Sequence, residues 1–74
     1  MIETKDTNYE RAKIFWKKGL VVHIVKNSGT FYNGIITEVS SDFFFIEDQK
    51  EGNKLVFFRE LKKPIETYTK EVEE

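Results

Sequence analysis

The sequence has no cysteine and only one proline and one histidine among its 74 residues. Without cysteine, no disulfide and no thiolate-bound metal can reinforce the fold, and a cytosolic setting is indicated. A chain of this length forms one domain and buries only about 60% of its unfolded surface, so we expect oligomerisation to add stability. We therefore treat 1–74 as a single domain, with a flexible N-terminus over 1–7 and an acidic tail over 69–74.

Long apolar runs are also absent. None approaches the roughly 20 residues of a membrane-spanning helix, and the first residues lack the charge and apolar run of a signal peptide. We expect a soluble, cytoplasmic protein without a membrane partner. The formal net charge is −1. This balance excludes a protein whose overall positive charge binds nucleic-acid phosphates without sequence preference. Any RNA contact must therefore come from a local cluster of residues.

Motifs for catalysis and metal binding are missing as well. His23 lies in an apolar stretch without a nearby cysteine or second histidine, which predicts a structural or surface role and no metal site. The sequence contains no phosphate-binding loop, dinucleotide fingerprint, metalloprotease motif or nucleophile elbow. Asp42, Glu47 and Asp48 could converge as an acid and a base, but acidic residues at turns and strand ends are usually solvated. We expect neither an enzyme nor a cofactor.

The sequence does contain a helix pattern near its start. Asp6, Thr7 or Asn8 could cap a helix that runs to about Lys18 and ends at Gly19. Such a helix lies across one mouth of a small barrel and covers its core. Its predicted apolar stripe consists of Tyr9, Ala12 and Trp16, widened by Ile14 and Phe15.

Five short strands are predicted after the helix, at the spacing of a small barrel or sandwich. They cover 20–26, 30–39, 43–46, 54–59 and 61–68. Gly34 inside the second strand predicts a bend or bulge, and Pro64 must lie at the start of the fifth strand or on an edge. The third strand, Phe43 to Ile46, is apolar on both faces. One face can fill the barrel, whereas the other needs the helix or a neighbouring subunit.

The glycine and apolar spacing resembles the first motif of the Sm-like family, which includes the LSm and Hfq proteins. The matching positions are Gly19, Val22, Ile24, Gly29, Tyr32 and Gly34, followed by Ile36 and Val39. The family's second motif is similar to Val56-Phe57-Phe58-Arg59-Glu60-Leu61. The resemblance implies an all-β fold: a short N-terminal helix followed by a strongly bent, five-stranded antiparallel SH3-like barrel of the Sm type.

The resemblance also implies a function. Sm-like barrels pair the fourth strand of one subunit with the fifth of the next, closing a homo-oligomeric ring of six or seven. Val56, Phe57, Phe58 and Leu61 would supply that interface. The two motif turns would bind single-stranded RNA, with Phe43 stacking on a base and Arg59 holding phosphate. The implied RNA-contacting residues are Ser40, Asp42, Phe43 and Arg59.

Two positions depart from the family pattern, and alternatives stay open. Phe44 stands where the family keeps an Asn that contacts a base, and Glu60 stands where it keeps a Gly. One alternative is a protein-interaction or scaffold barrel without nucleic-acid binding. Another is a monomer whose fourth strand is covered by its own helix.

The basic helix end offers a second phosphate surface, although a solvated helix face is the commoner explanation of such charges. That end comprises Arg11, Lys13, Lys17 and Lys18.

Overall fold

The computed structural model describes the backbone of residues 4–68 and the side chains of residues 7–68. Residues 1–3 of the predicted flexible N-terminus and the acidic tail over 69–74 lie outside the described residues. The elements are α1 (Thr4–Lys18), β1 (Val21–Val25), β2 (Phe31–Val39), β3 (Phe43–Asp48), β4 (Gly52–Phe57), a 3₁₀ turn (Phe58–Glu60) and β5 (Glu66–Thr67).

The five strands form one antiparallel sheet in the order β4-β3-β2-β1-β5. One N-terminal helix and five antiparallel strands are therefore confirmed. The predicted closure into a barrel is not, because β4 and β5 are both sheet edges and do not pair with each other within the described residues. After the 3₁₀ turn the chain returns along β1, where Leu61 forms an isolated bridge with Lys26.

The C-terminal end of α1 is confirmed at Gly19. Gly19 has a φ of +65°, its N–H donates to the Trp16 carbonyl at 3.1 Å, and the Leu20 N–H donates to the Phe15 carbonyl at 3.2 Å. This pair of bonds satisfies two of the last helical carbonyls and requires a left-handed residue, which glycine adopts without a Cβ penalty. The glycine therefore fixes where the helix stops.

The start of α1 differs from the prediction. The helix begins at Thr4, so Asp6, Thr7 and Asn8 lie within it and do not cap it. Asn8 instead reaches across the fold, because its Oδ1 accepts a hydrogen bond from the Ile65 N–H at 3.0 Å and the residue is only 2% exposed. Its side chain ties the helix to the segment before β5 and satisfies a buried backbone donor.

The buried face of α1 is also narrower than predicted. Ala12 is fully buried, with Tyr9 and Phe15 packed partly against the core. Trp16 and Ile14 are 41% and 49% exposed, so the expected burial of Trp16 is wrong. Asn8, Ala12 and Phe15, at i, i+4 and i+7, face the sheet. The helix is therefore rotated about its axis relative to the predicted stripe, which turns Trp16 toward solvent.

Strand β4 and the segment after it differ most from the predicted strands. β4 ends at Phe57, and the chain then turns through the 3₁₀ residues, where the Leu61 N–H donates to the Phe58 carbonyl at 3.1 Å. β5 consists of two residues only, at an edge of the sheet and after Pro64. Pro64 lies before this edge strand and not within it, so the predicted strand over 61–68 is reduced to its last part.

Gly34 permits a close approach of two strands. Its register with Asp48 is regular, and the irregularity in the β2–β3 ladder falls later, between Ile36 and Glu38. A Cβ at position 34 would lie 1.8 Å from the Glu47 carbonyl oxygen. The glycine is therefore required by the neighbouring backbone, and the predicted bulge occurs two to four residues further along β2.

The core lies on the inner face of the sheet, beneath α1. The rings of Phe44 and Phe58 are 5.2 Å apart, and Tyr9 meets Phe58 edge-on at 6.0 Å. Alternation along β3 consequently places Phe43 and Phe45 on the outer face, where they are half-buried. The buried apolar residues are Ala12, Val22, Ile24, Ile36, Phe44, Ile46, Val56, Phe58 and Ile65.

Candidate nucleic-acid interface

Two turns of the chain meet at one end of the sheet. The β2–β3 turn is closed by the Ser40 N–H, which donates to the Phe43 carbonyl at 2.8 Å. The first residue of the 3₁₀ turn, Phe58, donates its N–H to the Asp42 carbonyl at 2.9 Å. These bonds bring the four predicted site residues, including Arg59, to the same end of the molecule.

An aromatic pair and a guanidinium form the centre of this site. Phe43 lies opposite Phe57 in the β3–β4 register, with ring centroids 5.8 Å apart and planes at 67°. The Arg59 guanidinium carbon lies 4.8 Å from the centroid of the Phe57 ring. A cation over an aromatic ring is held without an ion pair, so its donors stay open to solvent and to an anionic ligand.

The acidic residues near this centre differ in how far their charge is neutralised. Glu60 is half-buried, pairs with Lys26 at 3.6 Å and accepts the Phe57 N–H at 3.4 Å. Asp42 is exposed, and its negative charge repels a phosphate bound nearby. Arg59 forms no ion pair with any residue of the described chain. The site therefore presents the Arg59 guanidinium to a ligand beside an opposing carboxylate.

The turn between β1 and β2 supports the 3₁₀ turn from behind. The Asn27 N–H donates to the Glu60 carbonyl at 2.7 Å, and its side-chain amide donates to the Arg59 carbonyl at 3.4 Å. These bonds fix the backbone that carries Arg59 while its guanidinium stays exposed. The sequence does not identify Asn27 as a site residue, since its contacts span more than thirty positions of sequence.

Phe44 cannot make the base contact that the resemblance to Sm-like proteins would assign to its position. The side chain is fully buried and packs on Phe58. A phenylalanine carries no amide, so this position offers neither a donor nor an acceptor to a base edge. The site is left with stacking and charge.

The residues predicted for a subunit interface differ in burial: two lie in the core and two keep accessible surface. Val56 is fully buried and Phe58 is 3% exposed, so both are occupied in the chain's own core. Phe57 and Leu61 are half-buried and keep accessible surface. Any interface along β4 would therefore use Phe57 and the backbone of the β4 edge, since Leu61 lies beside Lys26 at the end of β1.

Asp48 is buried at the β3–β4 turn, where its side chain accepts hydrogen bonds from the backbone. Its carboxylate accepts N–H bonds from Glu51 at 2.8 Å, Asn33 at 3.0 Å and Lys50 at 3.0 Å. Burial alone would raise the pKa of Asp48, but these N–H donors and the Lys50 charge outweigh it and hold the pKa below its usual value. Asp48 therefore fixes the turn and ties it to β2.

The three acidic residues considered as an acid–base group are separated in the structure. Glu47 and Asp48 alternate onto opposite faces of β3, and Asp42 lies at the other end of that strand. His23 is hydrogen-bonded through Nδ1 to Asn33 Oδ1. Within residues 7–68, no three His, Cys, Asp or Glu side chains come together as a possible metal site.

The basic helix end is partly used within the fold. Arg11 Nε donates to the Ile65 carbonyl at 2.6 Å, and the Lys13 ammonium lies 4.9 Å from the centroid of the Tyr9 ring. Lys17 and Lys18 are exposed. This surface therefore offers fewer free cations than its sequence suggests.

Comparison of the chain with protein-family models gives no match, and a search among curated proteins gives none either. None of the helices described here is long and apolar enough to span a membrane.

Proposed function

We propose that this chain is an Sm-like module that binds single-stranded RNA through Phe43, Phe57 and Arg59. The observation that carries the proposal is the meeting of the two turns, which sets an aromatic pair beside a guanidinium that has no ion-pair partner in the described chain. The strand order β4-β3-β2-β1-β5 and the 3₁₀ turn before β5 support a bent Sm-type barrel as the finer description of the fold.

The expected binding is weak and tolerant of sequence. Stacking of one base on an aromatic side chain contributes about 1 to 3 kcal/mol by alanine substitution, and every base has a face to stack. One arginine neutralises about one phosphate, so binding should weaken only moderately with salt. The nearby Asp42 carboxylate reduces the attraction further.

The proposal is tested by titrating labelled oligo-U and oligo-A at low salt. Arg59→Ala and Phe43→Leu should each weaken binding about five- to tenfold, which corresponds to the loss of about 1 to 1.4 kcal/mol. Leu keeps an apolar side chain at position 43 but removes the aromatic face. The two oligonucleotides should bind alike.

Lys50→Ala is the matched control, since it removes a cation from the β3–β4 turn at the opposite end of β3. It should bind like the parent chain. If the Arg59 and Phe43 variants also retain the parent affinity, the proposed site is wrong. Absence of binding by the parent chain removes the function itself.

We also propose that the chain assembles into the homo-oligomeric ring implied by the resemblance. Support comes from two free edges: within the described residues, β4 and β5 each pair with one neighbour only. Pairing β4 of one subunit with β5 of the next would cover both edges. Light scattering coupled to size exclusion should give six or seven times 8.8 kDa. A monomer mass at micromolar concentration would exclude the ring.

A protein-interaction barrel without RNA binding is the second candidate function. It is favoured by the outer face of the sheet, where Phe45 is half-buried and Leu55 is 40% exposed. A parent chain that binds no oligonucleotide, yet self-associates or binds a protein through this face, would favour this candidate.

A further inference from the structure

The outer face of β3 and β4 carries a continuous apolar patch. Four side chains form it: Phe43 and Phe45 from β3, and Leu55 and Phe57 from β4; we call it the aromatic face. Phe43 pairs with Phe57 and Phe45 with Leu55 across the strands. The Phe43 and Phe45 rings meet edge-on at 5.8 Å. Its members are half-buried by one another, apart from Leu55, which is exposed.

The helix does not cover the aromatic face. α1 contributes Ala12 to the core and packs partly buried Tyr9 and Phe15 against it, on the inner side of the sheet. A strand with apolar residues on both sides needs a cover on each. Contiguous apolar surface of this kind marks an interaction site on a small soluble domain. The helix therefore leaves the outer side of β4 open, contrary to a monomer in which it would cover that strand.

Charges of both signs border the aromatic face, and the exposed Glu38 of β2 lies beside it, opposite Phe45. Arg59 lies over Phe57 at one end, and Glu47 follows Phe45 on the same face at the other end. Glu47 is exposed and makes no ion pair with the rest of the described chain. The Phe43–Phe57 row and the Glu47–Asn53 row lie two residues, or about 7 Å, to either side of the Phe45–Leu55 row.

This layout is self-complementary under a two-fold rotation. Consider an axis that lies between two facing sheets, runs perpendicular to the strands and passes midway between the Phe43–Phe57 row and the Phe45–Leu55 row. Rotation about it stacks the apolar rows of two copies on each other. It also places the end of the face that carries Arg59 in each copy against the end that carries Glu47 in the partner. The same patch then serves both subunits, as a two-fold interface requires.

We propose that the aromatic face is a dimerisation surface for a second copy of this chain. Two sheets pack face to face through Phe43, Phe45, Leu55 and Phe57. One Arg59–Glu47 ion pair then forms at each end of the contact between the two copies. The area is small, so the contact belongs to the weak, concentration-dependent class. It uses side chains of the sheet face and leaves the main-chain edges of β4 and β5 free.

One consequence rests on the proposed RNA-binding function. Phe43, Phe57 and Arg59 belong both to the RNA site and to the aromatic face. A dimer therefore covers the RNA site, and an oligonucleotide competes with the second copy. Self-association becomes a means of masking RNA binding at high protein concentration.

Sedimentation equilibrium of the full chain across a concentration series tests the dimer. Leu55→Glu places a carboxylate at the centre of the contact and should raise the dissociation constant at least tenfold. Phe31→Glu is the matched control: Phe31 is 56% exposed on β2, away from the aromatic face, and this variant should associate like the parent. Circular dichroism verifies that both variants fold.

Charge exchange tests the ends of the contact. Arg59→Glu and Glu47→Arg should each weaken association, and the double variant should regain the parent dissociation constant because both pairs are restored in reverse. The proposal is overturned if the mass of the parent does not rise with concentration, whether from the 8.8 kDa monomer or from the ring, or if Leu55→Glu associates like the parent. It is equally overturned if the double variant shows no recovery.

Oligonucleotide titration separates this proposal from the RNA function. Leu55→Glu keeps Phe43, Phe57 and Arg59, so its RNA affinity should not fall as protein concentration rises, whereas that of the parent should. If neither chain binds RNA, the RNA function fails while the dimer stands on the sedimentation result. If both bind RNA and neither self-associates, the dimer fails alone.

Discussion

Gly34→Ala is the substitution whose effect the structure defines most sharply. The new Cβ would lie 1.8 Å from the Glu47 carbonyl oxygen and 2.6 Å from its carbon. An unstrained carbon–oxygen contact is about 3.3 Å, so β2 and β3 would have to separate by about 1.5 Å at this point. The obstacle is backbone in the centre of the sheet, which no side-chain rotation can relieve.

The cost follows from the hydrogen bonds that such a separation breaks. Lengthening an N–H to O distance from about 2.9 Å by that amount takes it beyond hydrogen-bonding range. Losing two or more ladder bonds and the packing beside them amounts to at least about 3 kcal/mol. A 74-residue domain has a total stability of about 4 to 11 kcal/mol. Gly34→Ala should therefore remove a large share of it.

Urea unfolding followed by far-UV circular dichroism measures this loss. Gly52→Ala is the matched control, because it makes the same change in the unfolded chain at a site with no atom within 4 Å of the new Cβ. Its φ of +85° adds only the strain of a left-handed alanine, about 1 to 2 kcal/mol. If Gly34→Ala proves no more destabilising than Gly52→Ala, the close approach of β2 and β3 is wrong.

Two further predictions concern buried side chains. Phe44→Ala should lower the free energy of unfolding by about 3 to 5 kcal/mol in urea melts, whereas Phe31→Ala, at an exposed site, should change it by less than about 0.5 kcal/mol; similar losses would refute the core assignment. Asp48→Asn should cost about 1 to 3 kcal/mol at neutral pH. Because the pKa of Asp48 is lower in the folded state, its carboxylate stabilises the fold above the unfolded pKa of about 4, and this contribution is lost as the pH falls through the folded value. Urea melts from pH 6 to pH 2 should therefore show a steeper loss for the parent than for the variant, and equal slopes would contradict the role of the three N–H donors.

The parts of the fold that local chemistry determines can be predicted from the sequence. Gly19 marks the helix end, since few other residues adopt its left-handed conformation. The β-branched and aromatic runs place β1 and β2 within one residue of their observed ends. The parts that tertiary contacts determine are less accessible. Trp16 matches an apolar helical face as well as Phe15 does, and only docking of the helix selects between them.

The members of the site are easier to predict than their arrangement. The resemblance points to Phe43 and Arg59, and the structure brings them to one end of the sheet. The resemblance assigns Phe57 to a subunit interface and not to the site, because a run of two phenylalanines does not show which of them faces outward. The β3–β4 register decides this by pairing Phe57 with Phe43. That register depends on a turn stabilised by Asp48, whose three N–H partners are visible only in three dimensions.

Phe44 links the stability of this fold to the RNA recognition that we propose. An asparagine there would lose the Phe44–Phe58 contact, a core substitution of the class that costs about 3 to 5 kcal/mol, and would place an amide in a fully buried position. An unpaired buried amide adds about 1 to 3 kcal/mol. The sum approaches the stability of the whole domain, so an amide contact cannot be installed at this position without other changes to the core. Glu60 is similarly committed, to Lys26. Recognition at the proposed site must therefore depend on Phe43, Phe57 and Arg59, by stacking and charge, which is the physical reason to expect oligo-U and oligo-A to bind alike.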